Sequence, residues 1–416
     1  MLIGFTVGNF RSFKEPVTLS MVAANIVSKP ASLDTENVFH VNDNLKLLKS
    51  VAMYGANGSG KSNFVAAIQF MRSFVLNSSR NTQINDRIPI NQFRLSTETE
   101  GQPSLFEIVF VLNNIQYRYG FEVTPSEVVA EWLYDVPTIR ERRLFERDHD
   151  QITVGTSFKE GKKLEDKTRN NALFLSVVAQ FNGLISEQIL DWFWNIYLLF
   201  GFDDKNYQNY AIRNFANKHN KPRTLSLFKS LNLGNIQDVD ISYDKNVPPS
   251  EISDYSKIHT MRTRFDEDGT IADLKQFDLD DESEGTKKLF LLSPLLVDTL
   301  ENGRILIIDE LDARLHPLIT SAIIKLFNSS TTNPNNAQLI FTTHDTNLLN
   351  NKIFRRDQIW FAEKDRFEAT HLHSLVEYKV RNDASFESDY IQGKYGAIPF
   401  LGDLSVVVGA THDETP

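Results

Sequence analysis

The chain has 416 residues, which allows either one large α/β domain with an insertion or more than one domain. Its 41% hydrophobic and 24% charged residues are ordinary for a globular fold, and the absence of cysteine excludes disulfides, thiolate metal sites and a cysteine nucleophile. The net charge of −10 excludes nucleic-acid binding spread over the whole surface. Since the sequence has neither a secretory signal nor a membrane-spanning apolar run, we expect a cytoplasmic protein without membrane contact.

The first 180 residues combine strands with one helix. Apolar residues recur every three or four positions from Phe64 to Val75, which predicts a helix over residues 61–76. Two alternating runs joined at Asn113 and Asn114 predict a β-hairpin. The strands predicted from alternation or from short apolar runs are residues 2–7, 17–22, 47–53, 105–111, 117–123 and 173–178.

The rest of the chain alternates helices and strands. Residues 181–265 are largely helical and aromatic in pattern, which predicts an inserted helical lid. An acidic stretch then leads into a helix that begins near Thr286. A strand at 304–308, a helix at 317–328 and a strand at 338–342 complete an α/β pattern. The predicted regions are an N-terminal lobe at residues 1–180, the lid at 181–265 and a C-terminal lobe at 266–416.

A glycine-rich segment between a predicted strand and a predicted helix carries the strongest local signal. It has the form G-x-x-x-x-G-K-S, whose glycines let backbone N–H groups curl around phosphate oxygens while the following helix points its positive end at the same anion. Lys61 is expected to reach the β- and γ-phosphates, and Ser62 to hold Mg²⁺. The alternative is a glycine-rich turn that matches by chance. The residues predicted to bind nucleotide here are Gly55, Asn57, Gly58, Ser59, Gly60, Lys61, Ser62 and Asn63.

An apolar strand downstream ends in two carboxylates, Asp309 and Glu310. In open α/β folds ligands bind at the carboxyl edge of the sheet, so this strand brings both acids to that edge. Asp309 is expected to hold Mg²⁺ through water, and Glu310 to act as the general base that polarises the attacking water. The alternative is a strand that simply ends in solvated acids.

Four segments, which include the two carboxylates Asp309 and Glu310, resemble motifs of the SMC, RecF and OLD-nuclease branch of ABC-type ATPases. The resemblance implies a D-loop role for Asp312 and contact of His344 with the γ-phosphate, so that Glu310, His344 and Lys61 form the expected catalytic set. It also implies that Ser283 and Gly285, in place of the usual S-G-G-Q signature, cap the γ-phosphate bound by a second copy. The segments concerned are Asp309-Glu310-Leu311-Asp312, Leu315-His316-Pro317, Thr342-Thr343-His344-Asp345 and Ser283-Glu284-Gly285-Thr286.

One copy carries one phosphate loop and one signature, so the resemblance implies a homodimer, or a higher homo-oligomer, that binds ATP and Mg²⁺ between subunits. The fold it implies is an α/β ABC-type P-loop ATPase with a mixed β-sheet, an antiparallel β subdomain and the helical lid. The departure of the signature from S-G-G-Q leaves a second interpretation of Ser283, as an ordinary helix N-cap.

More closely, the chain resembles the RloA and AbiLi ATPases of bacterial phage-defence and abortive-infection loci. The opening N-F-R-S-F, which includes Arg11, and the ending G-K-Y-G-A-I-P carry this resemblance. It implies an ATP-driven sensor and scaffold for a separate effector, nuclease-like or RloB-like. It also suggests that Arg11 approaches the phosphates, with an exposed strand-end arginine as the alternative, and that Gln180, or else Gln92, senses Mg²⁺.

Several features leave a second function open. Basic clusters around Arg143 and Lys221 and the aromatic run 192–197 are typical of nucleic-acid binding, although solvated faces and a packed core are the commoner explanations. The alternative function is therefore a RecF- or SMC-like DNA-repair ATPase. The sequence lacks a long coiled-coil arm, so the scaffold is the preferred interpretation. It also lacks the D-x-D motif that a two-metal nuclease site would need, so a nuclease active site within this chain is not expected.

Overall fold

The structure, a computed structural model, describes residues 1–81, 83, 85–200, 205–231, 234–242, 257–381 and 384–399. Its strands are β1 (Leu2–Gly8), β2 (Val17–Ser20), β3 (Val38–Asn42), β4 (Leu45–Leu48), β5 (Ser50–Tyr54), β6 (Ser104–Leu112), β7 (Ile115–Val123), β8 (Val128–Val136), β9 (Arg142–Asp148), β10 (Gln151–Val154), β11 (Ile196–Leu199), β12 (Ile236–Ser242), β13 (Lys257–Phe265), β14 (Ile271–Asp278), β15 (Ile305–Ile308), β16 (Gln338–Thr342), β17 (Ile359–Lys364) and β18 (Thr370–Ser374). Its α-helices are α1 (Leu33–Glu36), α2 (Lys61–Asn77), α3 (Phe174–Gln180), α4 (Leu184–Trp194), α5 (Lys205–Ala216), α6 (Lys221–Leu231), α7 (Glu284–Asn302), α8 (Pro317–Asn328) and α9 (Phe386–Ile391).

A six-stranded mixed sheet forms the centre, in the order β11-β15-β16-β5-β17-β18. Its first five strands are parallel and only β18 is antiparallel, so the carboxyl ends of β5, β15 and β16 meet at one edge. Every residue of β5 and β15 is buried, as expected for parallel strands covered on both faces. This edge carries the glycine-rich loop of residues 55–62, called the phosphate loop below, after β5 and the two acids, Asp309 and Glu310, after β15.

Helix α2 lies between this sheet and a seven-stranded antiparallel sheet of order β10-β9-β8-β7-β6-β1-β2. Strand β5 alternates its faces: Val51 and Met53 belong to the core shared with α2, whereas Ala52 and Tyr54 belong to the core on the opposite face. The phosphate loop is therefore clamped between two hydrophobic cores.

The second core lies under helices α5 to α9, and a separate three-stranded sheet of order β12-β13-β14 leads into α7. None of the described helices is both long enough and apolar enough to cross a membrane.

The structure confirms the predicted fold class, an α/β P-loop ATPase fold with a mixed sheet and an antiparallel β subdomain. It also confirms the helix at 61–76 within α2, the hairpin β6–β7 with its turn at Asn113 and Asn114, and the helix and strand at 317–328 and 338–342.

Two local predictions were wrong. Residues 173–178 are not a strand: Leu173 is the N-cap of α3 and the rest lie in this helix, whose first N–H groups, those of Phe174 and Leu175, donate to the buried carboxylate of Glu131 at 2.6 and 3.0 Å. An apolar run cannot by itself distinguish a buried strand from a buried helix, and the capping carboxylate comes from a distant strand. The segment 181–265 is also not wholly helical, because β11 pairs with β15 in the central sheet and β12 and β13 form strands of the three-stranded sheet. The division at residues 180 and 265 remains a prediction.

Candidate nucleotide site

The phosphate loop is held open by glycines in left-handed conformations. Gly58 and Gly60 have φ of 78° and 109°, and a Cβ at Gly60 would collide with the side chain of Thr370. The Lys61 ammonium donates to the carbonyls of Gly55 and Ala56 at 2.9 and 3.0 Å, and its burial lowers its pKa to about 8. The loop thus keeps a partly desolvated cation at the N-terminus of α2, where an anion is favoured.

The N-terminal turn and β18 brace this loop from one side. The Thr370 hydroxyl donates to the backbone carbonyl of Ser59 at 2.8 Å and accepts from the Ser12 hydroxyl at 2.9 Å. Asn63, in the first turn of α2, donates to the same Ser12 hydroxyl at 2.8 Å. Arg11 is exposed, with a φ of 48°, and its guanidinium lies 3.4 Å from the Asn63 amide oxygen. Arg11 is therefore beside the helix that carries Lys61 and Ser62, and its approach to the phosphates stays a prediction.

At the end of β15 a short hydrogen-bond chain fixes the two acids. Thr342, the last residue of β16, donates its hydroxyl proton to Asp309 at 2.6 Å and accepts from the backbone N–H of Glu310 at 2.7 Å. Asp309 is buried, whereas Glu310 is half-buried and adopts a φ of 55°. The left-handed conformation of Glu310 bends the chain directly after the strand, so the backbone changes direction between the two acids.

His344 follows β16 and faces the same edge. Its backbone N–H lies 3.4 Å from a carboxylate oxygen of Asp312. Burial, and secondarily the nearby Lys61 charge, lower the pKa of His344 below its ordinary value. The imidazole is therefore mainly neutral at pH 7 and has one nitrogen free to accept a proton and one to donate.

Glu310, Asp312, His344 and part of the phosphate loop line one cleft of about 690 Å³, a size typical of small-molecule sites. Two buried polar atoms at this edge, Ser59 Oγ and Asp312 Oδ1, have no hydrogen-bond partner within the described part of the chain. Buried polar groups are normally paired, so these atoms fit a polar ligand that would complete them. Together with the hard oxygen donors Asp309 and Ser62, the cleft fits a Mg²⁺-bound triphosphate. The lining residues are Gly55, Ala56, Asn57, Glu310, Asp312, Ala313, His344, Thr346, Tyr390 and Pro399.

The segment Ser283-Glu284-Gly285-Thr286, called the signature turn below, lies at the start of α7 and does not line this cleft. The Ser283 hydroxyl accepts from the N–H of Thr286 at 3.2 Å, so Ser283 is the N-cap of α7, and it is exposed. A Cβ at Gly285 would lie 2.9 Å from the carbonyl oxygen of Arg314, which keeps the turn close to the D-loop. The N-cap interpretation is correct as local structure, and it leaves the exposed helix N-terminus available to a ligand from outside the chain.

Comparison with known proteins identifies the family. Residues 50–350 match the family model described as "AAA domain, putative AbiEii toxin, Type IV TA system". The chain belongs to this AAA-domain family. A search of the curated proteins finds no match.

Among solved structures, similar chains include an SMC head bound to the C-terminal winged-helix domain of ScpA and the SMC head domain from Thermotoga maritima. Each is 14% identical and covers 90% of this chain, with 97% and 98% of the other chain covered and TM-scores of 0.45 and 0.42.

In this AAA-domain chain a functional residue that the sequence does not single out is Lys288, in the first turns of α7. Its buried ammonium donates to the carbonyls of Glu310, Leu311 and Ala313 at 3.0, 2.9 and 2.8 Å. Three donors thus meet three carbonyls of the segment that follows the paired acids. Burial lowers the pKa of Lys288 to about 8. Its neighbour Lys287 has the same chemistry in the sequence, so only the helix phase and the partner carbonyls distinguish the two residues.

The basis for choosing Gln180 as a Mg²⁺ sensor was wrong. Gln180 ends helix α3 instead of following a strand, and it lines a cavity with Asn77, at the far end of α2 from the phosphate loop. Helix α2 has 17 residues, which at about 1.5 Å per residue separates its two ends by roughly 25 Å. Gln92 is closer to the site, since the carbonyl of its neighbour Asn91 accepts from the Arg11 N–H at 2.7 Å.

The basic clusters are occupied by internal partners. Arg142 and Arg143 pair with Asp135 and Glu146, and Lys221 and Arg223 pair with Asp238 and Glu301. Arg147 is buried and donates to backbone carbonyls. In the aromatic run, Trp192 stacks on Phe110 with ring centroids 4.1 Å apart, so this ring is part of the core.

Proposed function

We propose that this AAA-domain protein binds Mg-ATP in the cleft and hydrolyses it between two copies of itself. The observation that carries the proposal is the meeting of Lys61, Glu310, Asp312 and His344 at one sheet edge, while the signature turn is exposed elsewhere on the same chain. An exposed helix N-terminus suits the γ-phosphate bound by a neighbour. A two-fold homodimer with two composite sites is the simplest assembly of this kind.

Each residue has a distinct role in this proposal. The loop N–H groups and Lys61 bind the phosphates, and Ser62 and Asp309 hold Mg²⁺, which when bound neutralises the charge of the phosphate oxygens. Glu310 accepts a proton from the attacking water. Neutral His344 donates a hydrogen bond to the γ-phosphate, and Ser283 and Gly285 of the second copy cap that phosphate.

In the cell, we propose that the nucleotide state of the dimer controls a separate effector in phage defence. The family description, which names a toxin and a toxin–antitoxin system, supports a defence role. Arg142, Arg143, Lys221 and Arg223 each have an acidic neighbour that competes with phosphates, so a RecF- or SMC-like DNA-repair ATPase is the second candidate.

The test uses two variants and one control. Lys61→Ala should lose nucleotide binding, because removing one member of a charge-paired contact costs about 2–5 kcal/mol, which is more than about 30-fold in Kd. Glu310→Gln should bind Mg-ATP normally but stop turnover, measured by phosphate release, and it should accumulate in the ATP-bound associated state, seen in light scattering as an ATP-dependent rise in mass. Glu100→Gln, on an exposed loop, is the matched control and should behave as the unmodified protein. Turnover of Glu310→Gln at the unmodified rate would remove Glu310 from the proposed role.

A further inference from the structure

The outer strand of the three-stranded sheet, β14, is unusually accessible for a strand with apolar residues. All eight of its residues are exposed, and three of them are large and apolar: Ile271, Leu274 and Phe277, at 71%, 48% and 40%. Among the described backbone hydrogen bonds, none outside the β13–β14 pairing involves a residue of β14. A free edge with apolar side chains is a template for pairing with another strand.

The sequence of β14 is complementary to itself in the antiparallel direction. When Leu274 is placed opposite Leu274 of a second copy, Asp273 meets Lys275 of that copy, and Lys275 meets its Asp273. The apolar Ile271 and Phe277 flank this charged centre on either side. The register of β14 on β13 skips residue 272, so the regular part of a pairing about Leu274 is residues 273–275 of each copy, and residue 276 of one copy would face the bulge at residue 272 of the other.

We propose that two copies of this chain associate through β14, antiparallel and in register about Leu274, to form one continuous six-stranded sheet. Such a contact is isologous, since each copy offers the same surface to the other. Opposite charges directly across a strand pair stabilise the pairing. A parallel, in-register pair would instead place Asp273 opposite Asp273 and Lys275 opposite Lys275. This association requires no nucleotide and is separate from the composite ATP site.

Forming this contact requires little to be broken within each chain. Asp273 pairs with Arg264, but the two side chains are 50% and 59% exposed, and such exposed pairs contribute only about 0–1 kcal/mol. Lys275 forms no ion pair with any acid among the described residues. Its neighbour across the sheet, Arg262, is already engaged by Glu282. Lys275 is therefore available to pair with Asp273 of the second copy.

The proposed contact lies next to the signature turn. Arg262 on β13 donates to the carboxylate of Glu282, with 2.9 Å for its Nε, and the Thr260 hydroxyl donates to the same carboxylate. Glu282 immediately precedes Ser283, and its side chain is nearly buried. A partner strand on β14 would thus extend the sheet that holds this turn.

Because the chain contains no cysteine, a single introduced cysteine reports the register. Leu274→Cys should form a disulfide-linked dimer under mild oxidation without nucleotide, since directly opposed Cβ atoms are about 4.5–5.5 Å apart. Gln276→Cys is the matched control, on the same face but about 13 Å from its counterpart in this register, and it should not cross-link. Equal cross-linking of both variants, or none in Leu274→Cys, would overturn the proposal.

The second measurement is mass in solution. The unmodified chain should be a dimer without nucleotide, and Leu274→Lys should weaken that dimer at least about tenfold by placing two like charges on the axis. Far-ultraviolet circular dichroism checks that the exposed substitution leaves the fold intact. If the unmodified chain were monomeric without nucleotide, the β14 contact would be refuted. An ATP-dependent mass increase that persists in Leu274→Lys tests the composite site separately, so the two proposals fail independently.

Discussion

The nucleotide cleft and the signature turn place their functional groups by different physical means. In the cleft, Asp309 is buried at the end of a wholly buried strand and is fixed by the Thr342 hydroxyl at 2.6 Å. At the signature turn, Ser283 is exposed, and the turn is tied to the D-loop by the exposed pair of Glu284 with Arg314. The cleft is therefore preassembled within one chain, whereas the turn presents an exposed serine and meets the D-loop side chains through an exposed ion pair, a kind of contact that contributes little.

The link between the two regions is Lys288. It is on the signature helix, yet its three hydrogen bonds end on the segment that follows Glu310. Glu310 and Arg314 have positive φ, so this segment adopts a conformation that its residues disfavour and that surrounding contacts must maintain. The difference between the regions implies that binding and turnover can be separated by substitution.

The largest effect should come from breaking that link. Lys288→Met keeps much of the side-chain volume but leaves three carbonyls without their donor, which should lower the free energy of unfolding by about 2–4 kcal/mol. ATP affinity of the separated chains should change less than about twofold, while turnover should fall at least about tenfold because the signature helix no longer follows the D-loop. Urea unfolding, equilibrium binding and phosphate release measure the three quantities.

The adjacent lysine provides the control for this prediction. Lys287 pairs with Glu284 at 3.3 Å on the partly exposed side of the helix. Lys287→Met should change the free energy of unfolding by less than about 0.5 kcal/mol and leave turnover near its original rate. Equal losses in both variants would show that Lys288 acts only through the general charge of the helix.

A smaller effect is expected inside the cleft. Thr342→Val preserves shape but leaves the Asp309 carboxylate and the Glu310 N–H without their shared partner, at a cost of about 1–3 kcal/mol in unfolding free energy. Here, in contrast to Lys288→Met, Mg-ATP affinity should fall together with stability, because Asp309 loses its fixed orientation.

Thr320→Val is the matched control for the cleft substitution. Thr320 is buried on α8, and its hydroxyl has no hydrogen-bond partner in the described ranges, so its loss should be neutral or slightly stabilising. If Thr342→Val retained full Mg-ATP affinity, the comparison between a rigid cleft and an adjustable turn would lose its basis.

Much of the cleft could be predicted from the sequence, because its signals are local. The loop, the start of α2 at Lys61 and the acids after β15 follow from a contiguous motif, a 3.6-residue period and a buried apolar run. These signals identify Asp309 and Glu310 without reference to distant residues. The D-loop and His344 required a resemblance, since a single aspartate or histidine has no distinctive spacing.

The parts that could not be predicted depend on distant partners. Helix α3 is capped by Glu131, 43 residues before Phe174, and no local pattern announces such a cap. Lys288 and Lys287 are equivalent in the sequence until the D-loop carbonyls select one of them. The choice of Gln180 failed for the same reason, because its apparent strand was a buried helix.

The smallest effect, a dependence on pH, tests how far the cleft is preassembled. Burial lowers the pKa of Lys61 to about 8, and phosphate binding favours its charged form. Raising the pH from 7.5 to 8.5 therefore deprotonates Lys61 in the free protein, and the Kd for ATP should increase roughly threefold, as expected for one group titrating at pH 8. The phosphate groups of ATP are already ionised in this range, so they add little to the change.

Lys288, with a pKa also near 8, is the competing titration. Because it bonds to backbone carbonyls and does not itself line the cleft, its deprotonation should affect turnover and leave ATP affinity unchanged. The threefold change in Kd should consequently persist in Lys288→Met, measured by titration calorimetry at the two pH values. A flat Kd in the unmodified protein would mean that Lys61 is already solvated and charged before nucleotide arrives, and that the cleft is not preassembled but reorganises on binding.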